Sequence, residues 1–107
     1  MEPTNYCNLN CLECPSGNGD LGRNRGFMDM EMYQKIIDEV ADHLVWLMIY
    51  FQGEPFLHRD LAAMIRYANQ KKMYTCISTN GHFLSPRNCK DIIHSGTDRL
   101  IVSMEGA

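Results

Sequence analysis

Nothing in these 107 residues approaches the roughly eighteen consecutive apolar residues that a membrane-spanning helix needs. No charged start leads into an apolar stretch and a small-residue cleavage site either, so no secretory signal is expected and the cytoplasm is the default compartment. Basic residues are few and scattered, ten Lys and Arg against thirteen Asp and Glu, for a net charge of -3. Without a basic stripe to meet a phosphate backbone, a nucleic-acid partner is not indicated. An even, dispersed set of cysteines is missing as well. Five thiols, three of them bunched, argue against a disulfide framework and for metal ligation in a reducing compartment. Length is also short, and 107 residues hold at most one small domain with a modest core. The composition, 45% hydrophobic and 21% charged, is that of an ordinary soluble globular protein.

What is present begins with Cys7, Cys11 and Cys14, at C-x3-C-x2-C spacing in the loop after Glu2-Pro3-Thr4-Asn5-Tyr6. Cysteine side chains are short, so three of them can converge only if the backbone folds around a centre that it encloses, and an iron–sulfur cube is such a centre. A structural zinc site normally closes with four ligands. No cysteine or histidine lies between Cys14 and His43 to supply the fourth, which leaves an open coordination position and a reactive metal. The competing reading is a small structural zinc or interaction module that borrows a distant ligand such as His43 or His58. Cys76 and Cys89 are left over as core residues.

Thr4-Asn5-Tyr6-Cys7-Asn8-Leu9-Asn10-Cys11-Leu12-Glu13-Cys14-Pro15 resembles the cluster loop of radical S-adenosylmethionine (SAM) enzymes. Three later segments fall in the order and at the approximate distances at which that family places its SAM contacts: Gln52-Gly53-Glu54-Pro55, Ser78-Thr79-Asn80-Gly81 and Ser103-Met104-Glu105-Gly106. Arg25-Gly26-Phe27-Met28 after the loop looks most like the peptide-modifying branch, whose members often carry a SPASM-type C-terminal domain with extra clusters. The resemblance implies that Cys7, Cys11 and Cys14 hold three irons of a [4Fe-4S] cluster. The fourth iron would bind the amino and carboxylate groups of SAM, whose reductive cleavage gives a 5′-deoxyadenosyl radical that takes hydrogen from substrate. It further implies SAM contacts at Gln52, Gly53, Glu54, Pro55, Ser78, Asn80, Ser103 and Glu105, an external electron donor, and a peptide or protein substrate. Two departures stand out. Gln52 replaces the first glycine of the family's GGEP motif, and Glu13 stands where an aromatic residue often precedes the third cysteine.

Residues 1–6 read as the end of a first strand that began upstream, and residues 15–28, with Gly17, Gly19, Gly22 and Gly26, as a loop. Asp29 is placed to cap a helix whose apolar face is Met32, Tyr33, Ile36, Ile37, Val40 and Ala41. Leu44–Phe51 is a continuous apolar run, expected as a central strand buried on both faces. Leu61, Met64, Ile65 and Ala68 mark the next helix, which ends at Lys71-Lys72, and residues 73–78 follow as a strand. Ser85-Pro86 starts a third helix that Gly96 ends, and residues 99–104 form the last strand. The pattern is α/β, β(αβ)3, a parallel-sheet partial TIM barrel of about four strands and three helices. A full barrel needs about 250 residues, so residues 1–107 are expected to be the N-terminal portion of a radical SAM core domain, too short to cleave SAM well alone. The last strand's free edge and apolar residues around Ile92, Ile93 and Leu100 are expected to promote self-association. His58 and His82 carry no catalytic assignment, and the dispersed methionines read as packing.

Overall fold

In the computed structural model, which describes residues 1–104, the apolar periodicity becomes three strands and four helices. A one-turn helix α1, Pro15–Asn18, is followed by α2, Met30–Val40, and strand β1, Trp46–Met48. After a 3-10 turn at Pro55–Leu57 come α3, Leu61–Gln70, and β2, Tyr74–Thr79. Helix α4, Pro86–His94, and strand β3, Arg99–Val102, complete the order. β2 lies at the centre and pairs in parallel with β1 on one side and β3 on the other. The α/β class and the parallel sheet are as expected.

The helix starts follow from their capping chemistry. The Asp29 carboxylate accepts from the backbone N–H groups of Glu31 and Met32, and the Ser85 hydroxyl accepts from Asn88 N–H just before Pro86. α2, α3 and α4 pack on one face of the sheet. Tyr33 and Ile37 of α2, Met64, Ile65 and Ala68 of α3, and Ile92 of α4 close over Leu47, Ile49 and Ile77. Each fully buried large side chain there contributes about 1.5–3 kcal/mol of transfer free energy. The Tyr33 hydroxyl donates to Met64 O at 2.8 Å, so the one polar atom that α2 brings into this core is satisfied.

Four expectations are corrected. Residues 1–6 do not join the sheet: Thr4 bridges Phe27 in antiparallel fashion, and Thr4 and Asn5 bond through their side chains to Asn24 and Gly26. These bonds tie the segment to residues 24–27 in place of a strand ladder. The apolar run 44–51 yields a strand of only three residues, at an edge, in which Leu47 is buried while Trp46 and Met48 are half exposed. Only its inward residues meet the helices, and Trp46 instead packs on Tyr74 across the open face, with ring centroids 4.8 Å apart. Met32 is exposed and Ile92 is buried, whereas Ile93 is exposed, because helical phase turns one isoleucine of the pair inward and the other out. Finally, the stretch 15–28 contains α1. None of the helices among the described residues is long and apolar enough to cross a membrane.

Candidate functional site

The loop carrying Cys7, Cys11 and Cys14 lies over the C-terminal ends of the strands, and its position follows from backbone contacts. Gly53 has φ +79°, and a Cβ there would meet the carbonyl oxygens of Thr4 and Tyr6 at 2.6 Å each. Only a residue without a side chain permits this approach. Beside it, Glu54 N–H donates to Tyr6 O at 2.7 Å, so the exit of β1 is stapled to the residue before Cys7. The far end of the loop is fixed similarly. Cys14 caps α1, its carbonyl accepts from Gly17 and Asn18 N–H, and Gly17 packs so closely on Cys11 that a Cβ would lie 2.5 Å from Cys11 N.

Glu54 joins this loop to the centre of the sheet. Its carboxylate is buried and accepts three hydrogen bonds: Phe56 N–H at 3.1 Å and Thr79 Oγ1–H at 2.7 Å on Oε1, and Asn80 N–H at 2.8 Å on Oε2. Three donors offset the cost of burying a charge. Asn80, held from below, reaches back over the loop. Its Nδ2 donates to Asn8 Oδ1 at 2.9 Å and lies 3.8 Å from Cys7 Sγ. Ser78 and Ser103 face each other with hydroxyls 3.3 Å apart, and Ser103 N–H donates to Thr79 O.

Between the loop and these strand ends opens a cleft of about 480 Å³. Cys7 and Cys11 line it together with Gly53, Glu54, Ser78, Asn80 and Ser103. The Cys14 thiol donates to Gln52 Oε1 at 3.4 Å, beside the exit of β1. Pro55 is buried as the first residue of the 3-10 turn. Glu105 lies outside the described residues.

The donor set suits a cluster better than a single ion. All three thiols are free, with Cys11 exposed and Cys7 and Cys14 half-buried, yet among the described residues no three His, Cys, Asp or Glu side chains gather tightly enough for one metal ion. Tetrahedral zinc requires its ligands on a single atom at about 2.0–2.3 Å. An iron–sulfur cluster spreads its thiolates over several irons.

The profile of the Radical SAM superfamily matches residues 1–107. This chain belongs to the radical SAM superfamily. Members bind a [4Fe-4S] cluster and SAM, and the parallel sheet described above is part of a radical SAM barrel. Among curated relatives, the chain is 32% identical over 106 residues to an AdoMet-dependent heme synthase of Methanosarcina barkeri, covering 99% of this chain and 30% of that protein. It is likewise 32% identical over 104 residues to a PqqA peptide cyclase of Granulibacter bethesdensis, covering 97% of this chain and 28% of that one. The crystal structure of BtrN in complex with AdoMet and 2-DOIA superposes with TM-score 0.84 at 25% identity, covering 99% of this chain and 45% of BtrN. The radical SAM chain thus spans about 30% of the length of the curated relatives it matches.

Some residues of the site carry no sequence signal of their own. Asn8 matters through Asn80. Ser16 matters through Gln52, which its hydroxyl meets at 3.3 Å. Glu2 accepts from Gln52 N–H at 3.0 Å while Arg23 clamps its carboxylate at 2.7 Å. Burial works to raise the Glu2 carboxyl, but the hydrogen bonds from Arg23 and Gln52, with the neighbouring positive charge, outweigh it and hold Glu2 below the ordinary range. His58 has a structural role. Its Nδ1 accepts from Asp60 N–H, which leaves Nε2–H to donate to Met28 O, so the ring ties the 3-10 turn to the start of α2.

Proposed function

We propose that this chain is the cofactor-binding part of a radical SAM enzyme that abstracts hydrogen from a peptide. Cys7, Cys11 and Cys14 would hold three irons of the cluster. SAM would lie in the cleft against Gly53, Ser78, Asn80 and Ser103, with Gln52, Glu54, Pro55 and Glu105 completing the set. The observation that carries this reading is the cleft itself, which is lined by two of the three thiols and by small polar groups from the strand ends. When bound, the two cofactors supply reductive cleavage of the sulfonium and the radical that takes the hydrogen atom.

The chain's own contribution is placement. The Gly53 contact and the Glu54 N–H bond set the loop at a fixed height above the sheet. The Glu54 carboxylate fixes the backbone at Asn80, so that an amide faces the cleft next to Cys7. With its three acceptor bonds directed into the protein, Glu54 acts here as a brace, and the ammonium of SAM would be met by other acceptors at this edge. A peptide substrate is favoured by the similarity to PqqA peptide cyclase.

Anaerobic reconstitution with iron and sulfide should give a brown protein with broad visible absorption that binds SAM. Uptake of zinc alone, with no iron retained, would overturn the reading in favour of a structural zinc module. The peptide assignment is tested separately, by SAM consumption in the protein that contains this chain. Consumption should rise when its peptide substrate is added, and indifference to every peptide offered would count against it.

A further inference from the structure

Gln52 occupies a position where a glycine would place no side chain, and its amide sits between two fixed points. Its Oε1 accepts from both, with Cys14 Sγ 3.4 Å away and Ser16 Oγ 3.3 Å away. Ser16 is itself buried, and Arg25 donates to its carbonyl at 2.8 Å. The Gln52 backbone N–H donates to Glu2 at 3.0 Å, and Arg23 holds the Glu2 carboxylate from behind, so the point from which the side chain projects is fixed.

With Cys14 as a thiol, S–H donates to the amide oxygen. Ligation of iron removes that proton, because a cluster is held by thiolates. A thiolate is an acceptor only, and a carbonyl oxygen facing it would set two acceptors against each other. The two ends of an amide have nearly the same shape, so a half-turn about the last side-chain bond exchanges them without changing the packing. The NH2 group then has one hydrogen for Cys14 Sγ and one for Ser16 Oγ, which accepts as readily as it donates.

We infer that Gln52 is a positioning residue that donates a hydrogen bond to the Cys14 thiolate of the loaded cluster and thereby raises its reduction potential. The inference rests on the reading of Cys14 as a cluster ligand. Reduction adds negative charge to the cluster, and a donor to a ligating sulfur stabilises the reduced state more than the oxidised one. A chain with glycine at this place lacks that donor.

The test compares wild type with Gln52→Met, which keeps length and neutrality but has no N–H, after anaerobic reconstitution of both. Iron content is measured first, and the midpoint potential is then taken by redox titration followed by EPR. Equal iron content with a midpoint shifted to lower potential in Gln52→Met is expected, and Gln52→Gly should shift it in the same direction. A wild-type chain that holds no cluster would sink the assignment of the metal site itself. A loaded wild type whose midpoint and EPR signal are matched by both variants would overturn the inference alone. Loss of the cluster from both variants would also overturn it, since Gln52 would then serve assembly rather than potential.

Discussion

Residues 1–28 and residues 29–104 are held by different forces. The later region is organised by apolar burial: Tyr33, Ile37, Met64, Ile65 and Ile77 are fully buried between helices and sheet. In the earlier region the exposed positions include Tyr6, Cys11, Leu12 and Phe27, and its order comes from hydrogen bonds such as Thr4 to Gly26 and Asn5 to Asn24, together with close glycine contacts. Apolar burial is non-directional, whereas hydrogen bonds fix positions. The loop that carries the three cysteines is therefore placed mainly by directional contacts, and the helices and sheet mainly by apolar burial. Chemistry and stability should separate when either region is altered.

The sharpest test of that separation is Cys7→Ala, Cys11→Ala or Cys14→Ala. Each should abolish stable cluster assembly while leaving far-UV circular dichroism unchanged, whereas Cys76→Ala and Cys89→Ala should retain full iron content. Iron loss in the Cys76 variant equal to that in the loop variants would break the comparison. Ile37→Ala should do the reverse, lowering stability to urea by about 2–5 kcal/mol through the cavity it leaves. Iron bound per folded molecule should be unchanged.

Glu54→Gln probes the joint between the regions. One acceptor would be exchanged for a donor facing Thr79 Oγ1 or Asn80 N–H, at about 1–3 kcal/mol. Both urea stability and iron retention against a chelator should fall, and a change in only one would show that Glu54 belongs to a single region. The smallest effect is expected from Arg23→Ala, because the Arg23 side chain is 49% exposed and solvent screens its ion pair with Glu2. Glu2 is held below the ordinary carboxylate range, so its contribution is fully present above the usual glutamate value of about 4.3 and is lost as pH falls through its lowered folded value. In Arg23→Ala that acid-side loss should shrink, as measured by urea titration at pH 3 to 6.

Much of the later region is legible one residue at a time. Asp29 and Ser85-Pro86 announce helix starts because a cap is a local interaction between a side chain and the next backbone N–H groups. The thiol spacing and the segments around Gly53 and Asn80 likewise carry the family resemblance in short runs of neighbouring residues. The extent of β1 was not legible. Eight apolar residues in a row look alike, and which of them face helices depends on what packs against each side.

By itself the sequence determined the class of the protein: alternating strand and helix periods, three clustered thiols, and motif segments in family order. Those are properties of adjacent residues, set by backbone geometry and side-chain chemistry. Only the tertiary structure decided that Thr4 pairs with Phe27 while residues 1–6 stay out of the sheet, that Glu54 turns inward as a brace, and that Gln52 meets Cys14. Each of these joins residues more than twenty positions apart. Such contacts depend on which donor and acceptor the fold brings within about 3 Å, and no local pattern encodes that.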